Sequence, residues 1–169
     1  MWIHSALGHT DAMATKRSAG ILLFRRIPST AVLIGHPGGP YYRNRDEGVW
    51  SIPKGEYGPD EPAVVAARRE FTEELGLPVP NVRLHGLGSV IQRGGKEVTI
   101  WAAEADLDVS DAVYGTFEMI WPPGSGRLRE FEELDRAEWT DLALAERRLL
   151  PAQLPFLERL RTLLDGAAG

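Results

Sequence analysis

The chain contains no cysteine. Disulfides and thiolate metal sites are therefore excluded. No apolar run approaches the ~20 residues that a membrane-spanning helix needs. Positive charge is in deficit, with 19 Lys and Arg against 24 Asp and Glu and a net charge of −5. That balance argues against broad nucleic-acid binding, and no helix-turn-helix pattern is evident. There is no internal repeat and no linker to mark a second domain. What remains is ordinary for a soluble globular protein: 43% hydrophobic and 25% charged residues. The length of 169 residues suits one domain with a substantial core. The opening MWIHSALGHTDAMATKRS lacks the long apolar segment of a secretory signal. Residues 1–17 are expected to form a disordered extension, with Met13 as a second candidate start, and 18–165 to form the single domain. A cytoplasmic location is the default expectation.

The chain is organised around Gly55 to Leu77, GEYGPDEPAVVAARREFTEELGL. Its middle reads as a helix. Asp60 is the expected N-cap, with Pro62 in the first turn, and Gly76 followed by Pro78 is the expected stop. At ~100° per residue, Val64, Ala67, Arg68, Phe71 and Leu75 share one arc, an apolar stripe with Arg68 at its edge. Glu70, Glu73 and Glu74 fall in a second arc beside the small Ala63 and Ala66. Carboxylates at i, i+3 and i+4 repel one another on a plain helix. Hard divalent cations prefer oxygen ligands, so the cluster is intelligible as a metal site. A solvated acidic face is the bland alternative.

The whole stretch resembles the Nudix box, G-x5-E-x7-R-E-U-x-E-E-x-G-U with U bulky and apolar. Gly55, Glu61, Arg69, Glu70, Glu73, Glu74 and Gly76 occupy its fixed positions, and Phe71 and Leu77 its apolar ones. An aromatic at Phe71 is a mild departure that bears on packing. The resemblance implies an α/β Nudix fold, a mixed β-sheet sandwiched between helices, with the box as a loop-helix-loop. It also implies divalent-metal-dependent hydrolysis of a pyrophosphate bond in a nucleoside diphosphate linked to another moiety. Carried over by box position, Glu73 and Glu74 are the main ligands of Mg²⁺, with Mn²⁺ as a substitute, and the Gly55 carbonyl completes the shell. Glu70 is a further ligand or the base, Arg69 orients the carboxylates, and Glu61 supports the loop. A further acid outside the box is expected among Glu118, Glu130, Glu132 and Glu133.

The substrate is less determined. The run Trp50 to Gly55 resembles that of dinucleoside polyphosphate hydrolases and makes Lys54 a candidate phosphate contact. Gly126 to Phe131 resembles a run of diphosphoinositol polyphosphate hydrolases, in which Arg127 and Arg129 grip distal phosphates. A dinucleoside or other nucleoside polyphosphate is the expected substrate. The alternatives are a diphosphoinositol polyphosphate or a non-catalytic nucleotide sensor, although the intact box favours catalysis. The expected partner is a small nucleotide, with no stable nucleic acid and no membrane, and the protein a monomer or homodimer.

Elsewhere, Ser18 to Arg26 and Thr30 to His36 read as paired strands. Pro37 to Gly48 reads as a loop whose Tyr41, Tyr42, Arg43 and Arg45 stack on a base or hold phosphate, or simply line a surface turn. Val49 to Pro53 reads as a short strand. Val82 to Gln92 and Glu97 to Ala105 flank a hairpin turn, with Gly86 and Gly88 suggesting a bulge. Thr116 to Trp121 reads as a strand, Pro122 to Leu128 as a loop, and Ala137 to Thr140 as a last strand. Asp141 is expected to cap Leu142 to Leu149. Ala152 to Leu164 reads as an amphipathic helix with Leu154, Leu157, Leu160 and Leu164 toward the core.

Overall fold

Strand β1, Arg17–Arg25, is buried on both faces along Ser18 to Phe24 and forms the spine of a computed structural model that describes residues 15–167. The expected extension over 1–17 lies largely outside the described residues; within them, β1 already begins at Arg17. β1 pairs antiparallel with β2, Ala31–Pro37, and with β3, Lys54–Tyr57. Its other edge pairs parallel with β5, Glu97–Glu104, which pairs antiparallel with β4, His85–Ile91. β8, Leu134–Asp141, closes the far side against β2, so the order is β4-β5-β1-β2-β8 with β3 on β1. β6, Thr116–Ile120, and β7, Leu128–Glu132, form a separate two-stranded sheet. Among the described residues, no helix is long and apolar enough to cross a membrane.

Side chains alternate across a strand, and β1 uses the alternation to feed two cores. Ala19, Ile21 and Leu23 face helix α1, Ala63–Leu75, meeting Ala66, Ala67, Phe71 and Leu75. Leu22 and Phe24 face the opposite layer with Trp50, Ile52, Val98 and Ile100. That layer is covered by α2, Leu142–Arg148, and by α3, Leu154–Ala167, through Phe156, Leu157 and Leu160. The sheet thus lies between helices, as expected. Phe71 and Leu75 are fully buried, and each side chain stabilises α1 on the sheet by ~1.5–3 kcal/mol.

Three local expectations need correction. Asp60 does not cap α1; Pro62 takes the N-cap position with extended backbone and no side-chain bond. Gly76 does end the helix in the left-handed region, its N–H donating to the Thr72 carbonyl. The strand expected at Val49 to Pro53 contributes only isolated bridges, Gly35 to Ser51 and Trp50 to Leu149, and the regular strand is Lys54–Tyr57. Leu128, expected to end a loop, already belongs to β7, and Arg129 follows it on the strand. The Asp141 cap, by contrast, forms, with its Oδ1 accepting from the Leu144 N–H at 2.8 Å. The bulge in β4 falls between Gly86 and Ser89. Leu164 is only partly buried against the core that takes Leu157 and Leu160.

Candidate active site

The carboxylates of α1 meet β3 where Gly55 pairs with Ala19. A Cβ on Gly55 would occupy the space of the Glu70 carboxylate, so only glycine lets the helix carboxylate lie against the strand there. Glu70 is 13% exposed at its side chain, against 54% for Glu73. Glu74, one turn after Glu70, accepts the Lys54 backbone N–H at 3.2 Å. The helix therefore wraps its last turn around the edge of β3.

Arg69 ties the box together. Its Nε and Nη2 donate to the two Glu61 carboxylate oxygens at 2.8 and 2.7 Å. Its Nη1 donates to Glu70 at 2.9 Å and to Glu73 at 3.0 and 3.1 Å. The paired hydrogen bonds to Glu61 are the geometry that guanidinium favours. Arg69's bond holds the Glu61 carboxyl below the usual range, and Glu61, Glu73 and Glu70 raise the guanidinium. A second cation is close by: the charge of Lys54 acts on Glu74.

A fourth carboxylate joins from outside the box. The Gly115 N–H donates to the Glu74 carbonyl at 3.3 Å, and the Glu133 N–H donates to the Gly115 carbonyl at 2.7 Å. A Cβ on Gly115 would sit 3.1 Å from Glu133 Oε2 and 2.8 Å from the Glu73 carbonyl oxygen. The segment at Gly115 thus stitches Glu133 to the end of α1. Of the four candidate acids, the structure brings Glu133 to the box. Glu118, Glu130 and Glu132 share the outer face of the β6–β7 hairpin and are exposed.

Electrostatics mark the cluster as short of positive charge. Burial pushes the Glu74 carboxyl up to about 8, with the charges of Glu133 and Glu70 adding to it. Burial also raises Glu70, and partial desolvation with the charge of Glu73 raises Glu133. Among the described residues no three acidic or imidazole side chains converge on one point as they stand, because Arg69 draws Glu70 and Glu73 toward itself. The all-oxygen donor set, and a buried Glu74 that ionises only where a cation compensates it, nevertheless fit a hard divalent cation.

The remaining expected contacts are spread around this cluster. Lys54 lies beside it; burial and then the charge of Lys96 lower its pKa. Lys96, not anticipated from sequence, bonds Glu56 Oε1 through Nζ at 3.0 Å. Tyr42 and Arg45 sit exposed on the loop after β2, the guanidinium 5.9 Å from the Tyr42 ring. That loop is anchored by the fully buried His36, which bonds Asp135 at 2.8 Å and the Arg45 carbonyl at 2.6 Å. The Gly38 N–H donates to the Glu133 carbonyl at 2.9 Å. A groove of about 300 Å³, lined by Gly38, Gly39, Arg43 and residues 130–132 with Asp135, separates the loop from β7. Arg127 and Arg129 project from the hairpin face that carries Met119 and Trp121. Among the described residues they make no ion pair, and no hydrogen bond joins them to the box carboxylates.

A family model described as the NUDIX domain matches residues 12–160. No curated protein matches the chain. The fold is similar to that of an Ap4A hydrolase from C. elegans in a binary complex, with a TM-score of 0.64, 19% identity, and 88% of this chain and 98% of that one covered. It is also similar to the NUDIX domain of Shewanella oneidensis NrtR complexed with ADP ribose, with a TM-score of 0.61, 16% identity and 89% of each chain covered. The Nudix hydrolase RenU of M. smegmatis gives a TM-score of 0.59 at 22% identity, over 88% of this chain and 85% of its own.

Proposed function

Because the chain belongs to the Nudix family of pyrophosphohydrolases, we propose a specific reaction for it: divalent-metal-dependent hydrolysis of a pyrophosphate bond in a dinucleoside polyphosphate. The observation that carries this reading is the Glu70 carboxylate lying against Gly55 with Glu74 on the neighbouring Lys54 N–H, Glu133 joined to the end of α1 through Gly115, and buried Glu74 pushed up to about 8. Glu70, Glu73, Glu74 and the Gly55 carbonyl would hold Mg²⁺ or Mn²⁺. A bound cation would neutralise phosphate charge and acidify water. Arg69 orients Glu70 and Glu73 while Glu61 holds Arg69. The ionised Glu133 carboxylate is the general base that accepts the proton of the attacking water; its raised pKa brings it nearer the range a base needs. Lys54 contacts phosphate beside Glu74. Tyr42, Arg45, Arg127 and Arg129 hold the distal nucleotide.

The test is a panel of dinucleoside polyphosphates, ADP-linked sugars and nucleoside triphosphates with Mg²⁺ or Mn²⁺, with products resolved by chromatography. Cleavage of a tetraphosphate-bridged dinucleoside above the others is expected. Preferred cleavage of an ADP-linked sugar would redirect the substrate assignment. Tight binding of ADP ribose without turnover of any compound would favour the sensor reading.

A further inference from the structure

We propose that Lys96, just before β5, is a second phosphate-binding cation beside Lys54, and that Glu56 holds its ammonium until a polyphosphate takes over the contact. The proposal rests on the hydrolase reading and adds a residue that the box does not contain.

Lys54 and Glu56 are two residues apart on β3 and project to the same face. Their partners on β1 are Gly20 and Ser18, and Ser18 pairs in turn with Val98 of β5. Directly opposed residues share a face, so Lys54, Glu56, Gly20 and Ser18 form one patch. A Cβ on Gly20 would lie 2.6 Å from the Lys54 Cβ, so glycine is what lets the lysine stem cross the sheet here. Ser18 is fully buried, and its hydroxyl has no partner among the described residues. Lys96 reaches into the same patch from the end of the hairpin turn and bonds Glu56 at 3.0 Å.

Positive charge gathers at Glu56. Lys96, Lys16 and Lys54 all act on its carboxylate, and Lys54 is shared with Glu74 and Glu70, so Glu56 is the carboxylate that all three lysines face. Lys54 links the patch to the carboxylate cluster: its backbone N–H bonds Glu74, and the charges of Glu74 and Glu70 act on its side chain along with that of Glu56. A polyphosphate that extends from the cluster past Lys54 would meet Lys96 next. An ammonium on a flexible stem can exchange a carboxylate for a phosphoryl oxygen without moving the backbone. The competing role for Lys96 is mechanical: a surface ion pair that pins the turn to β3 and contributes little.

Two substitutions in the full chain separate the roles. Binding of a methylene-bridged ATP analogue in Mg²⁺ is measured by calorimetry, alongside KM on a tetraphosphate-bridged dinucleoside and the melting temperature. Lys96→Gln should weaken binding and raise KM by about tenfold, the worth of one charge-assisted bond. Glu56→Gln should tighten binding, because it frees Lys96. Shifts of opposite sign support the proposal. Shifts of the same sign, or melting changes with no change in binding, overturn it. A wild-type protein that turns over no nucleotide removes the hydrolase reading alone, since the calorimetry needs no turnover and still decides the role of Lys96.

Discussion

Replacing Glu74 by Gln should make the metal-free protein more stable at alkaline pH while removing its activity. The Glu74 carboxyl stands near 4.5 when unperturbed and is pushed up to about 8 by burial in the fold. Between those values the unfolded chain has lost the proton and the native state still holds it. Native stability therefore falls as pH rises across this window. The contribution is fully present below 4.5 and is lost as pH passes through 8. The window is about 3.5 pH units wide, which at 1.36 kcal/mol per unit sets a ceiling of about 5 kcal/mol. Water reaches this incompletely buried site, so a loss of about 2–3 kcal/mol is the working expectation. Gln carries no ionisable proton and can still accept the Lys54 N–H through its carbonyl oxygen. The assay is denaturant unfolding in EDTA at pH 6, 7.5 and 9 for wild type and Glu74→Gln. Wild type should lose stability with pH and the variant should lose less. Some slope should persist in the variant, because Glu70 and Glu133 are raised as well. Excess Mg²⁺ should flatten the wild-type profile, since a bound cation favours the ionised carboxylate. A variant that tracks wild type at all three pH values, or is less stable at pH 9, would show that Glu74 does not hold its proton in the native state.

Gly55→Ala places a methyl in the space of the Glu70 carboxylate; kcat should fall steeply while circular dichroism reports a folded chain. Leu160→Ala, at a fully buried position on α3, should cost about 2–5 kcal/mol in urea unfolding, and no cost would mean that α3 is not held by this core. Asp141→Ala should lose about 1 kcal/mol with the α2 cap, whereas Asp60→Ala, which removes no cap, should leave stability near wild type. Arg127→Ala and Arg129→Ala should raise KM more on a tetraphosphate-bridged than on a diphosphate-bridged substrate; equal losses, or none, would remove the hairpin from the substrate site.

What could be read from sequence follows the distance over which each feature is determined. The end of α1 was legible because Gly76 and Pro78 are local signals, and the buried stripe through Ala67, Phe71 and Leu75 is a matter of helical period. The start of α1 was misread because Asp60 has the chemistry of a cap while the chain turns into the helix at Pro62. Val49 to Pro53 has strand composition, but its pairing is decided by distant Gly35 and Leu149 and yields only bridges. β7 carries the charged run LREFE, a weak strand signal, and forms because it meets β6 residue for residue from Thr116 to Ile120. Glu133 could not be told from three neighbouring acids, since its place depends on the Gly115 backbone joining it to Glu74. Lys96 left no mark at all: only the register of β3 and β5 on β1 brings it to Glu56 and Lys54.

The central question is whether the acidic cluster is a metal site that supports hydrolysis. The deciding measurement is the rate of cleavage of a tetraphosphate-bridged dinucleoside by wild type in Mg²⁺, in excess EDTA, and after Mg²⁺ is restored, with Glu73→Gln run in parallel. A metal-dependent hydrolase turns over in Mg²⁺, stops in EDTA and recovers fully on restoration, and its Glu73→Gln variant is folded but slower by orders of magnitude. Undiminished cleavage in EDTA, or a Glu73→Gln protein as active as wild type, would contradict a catalytic metal site there.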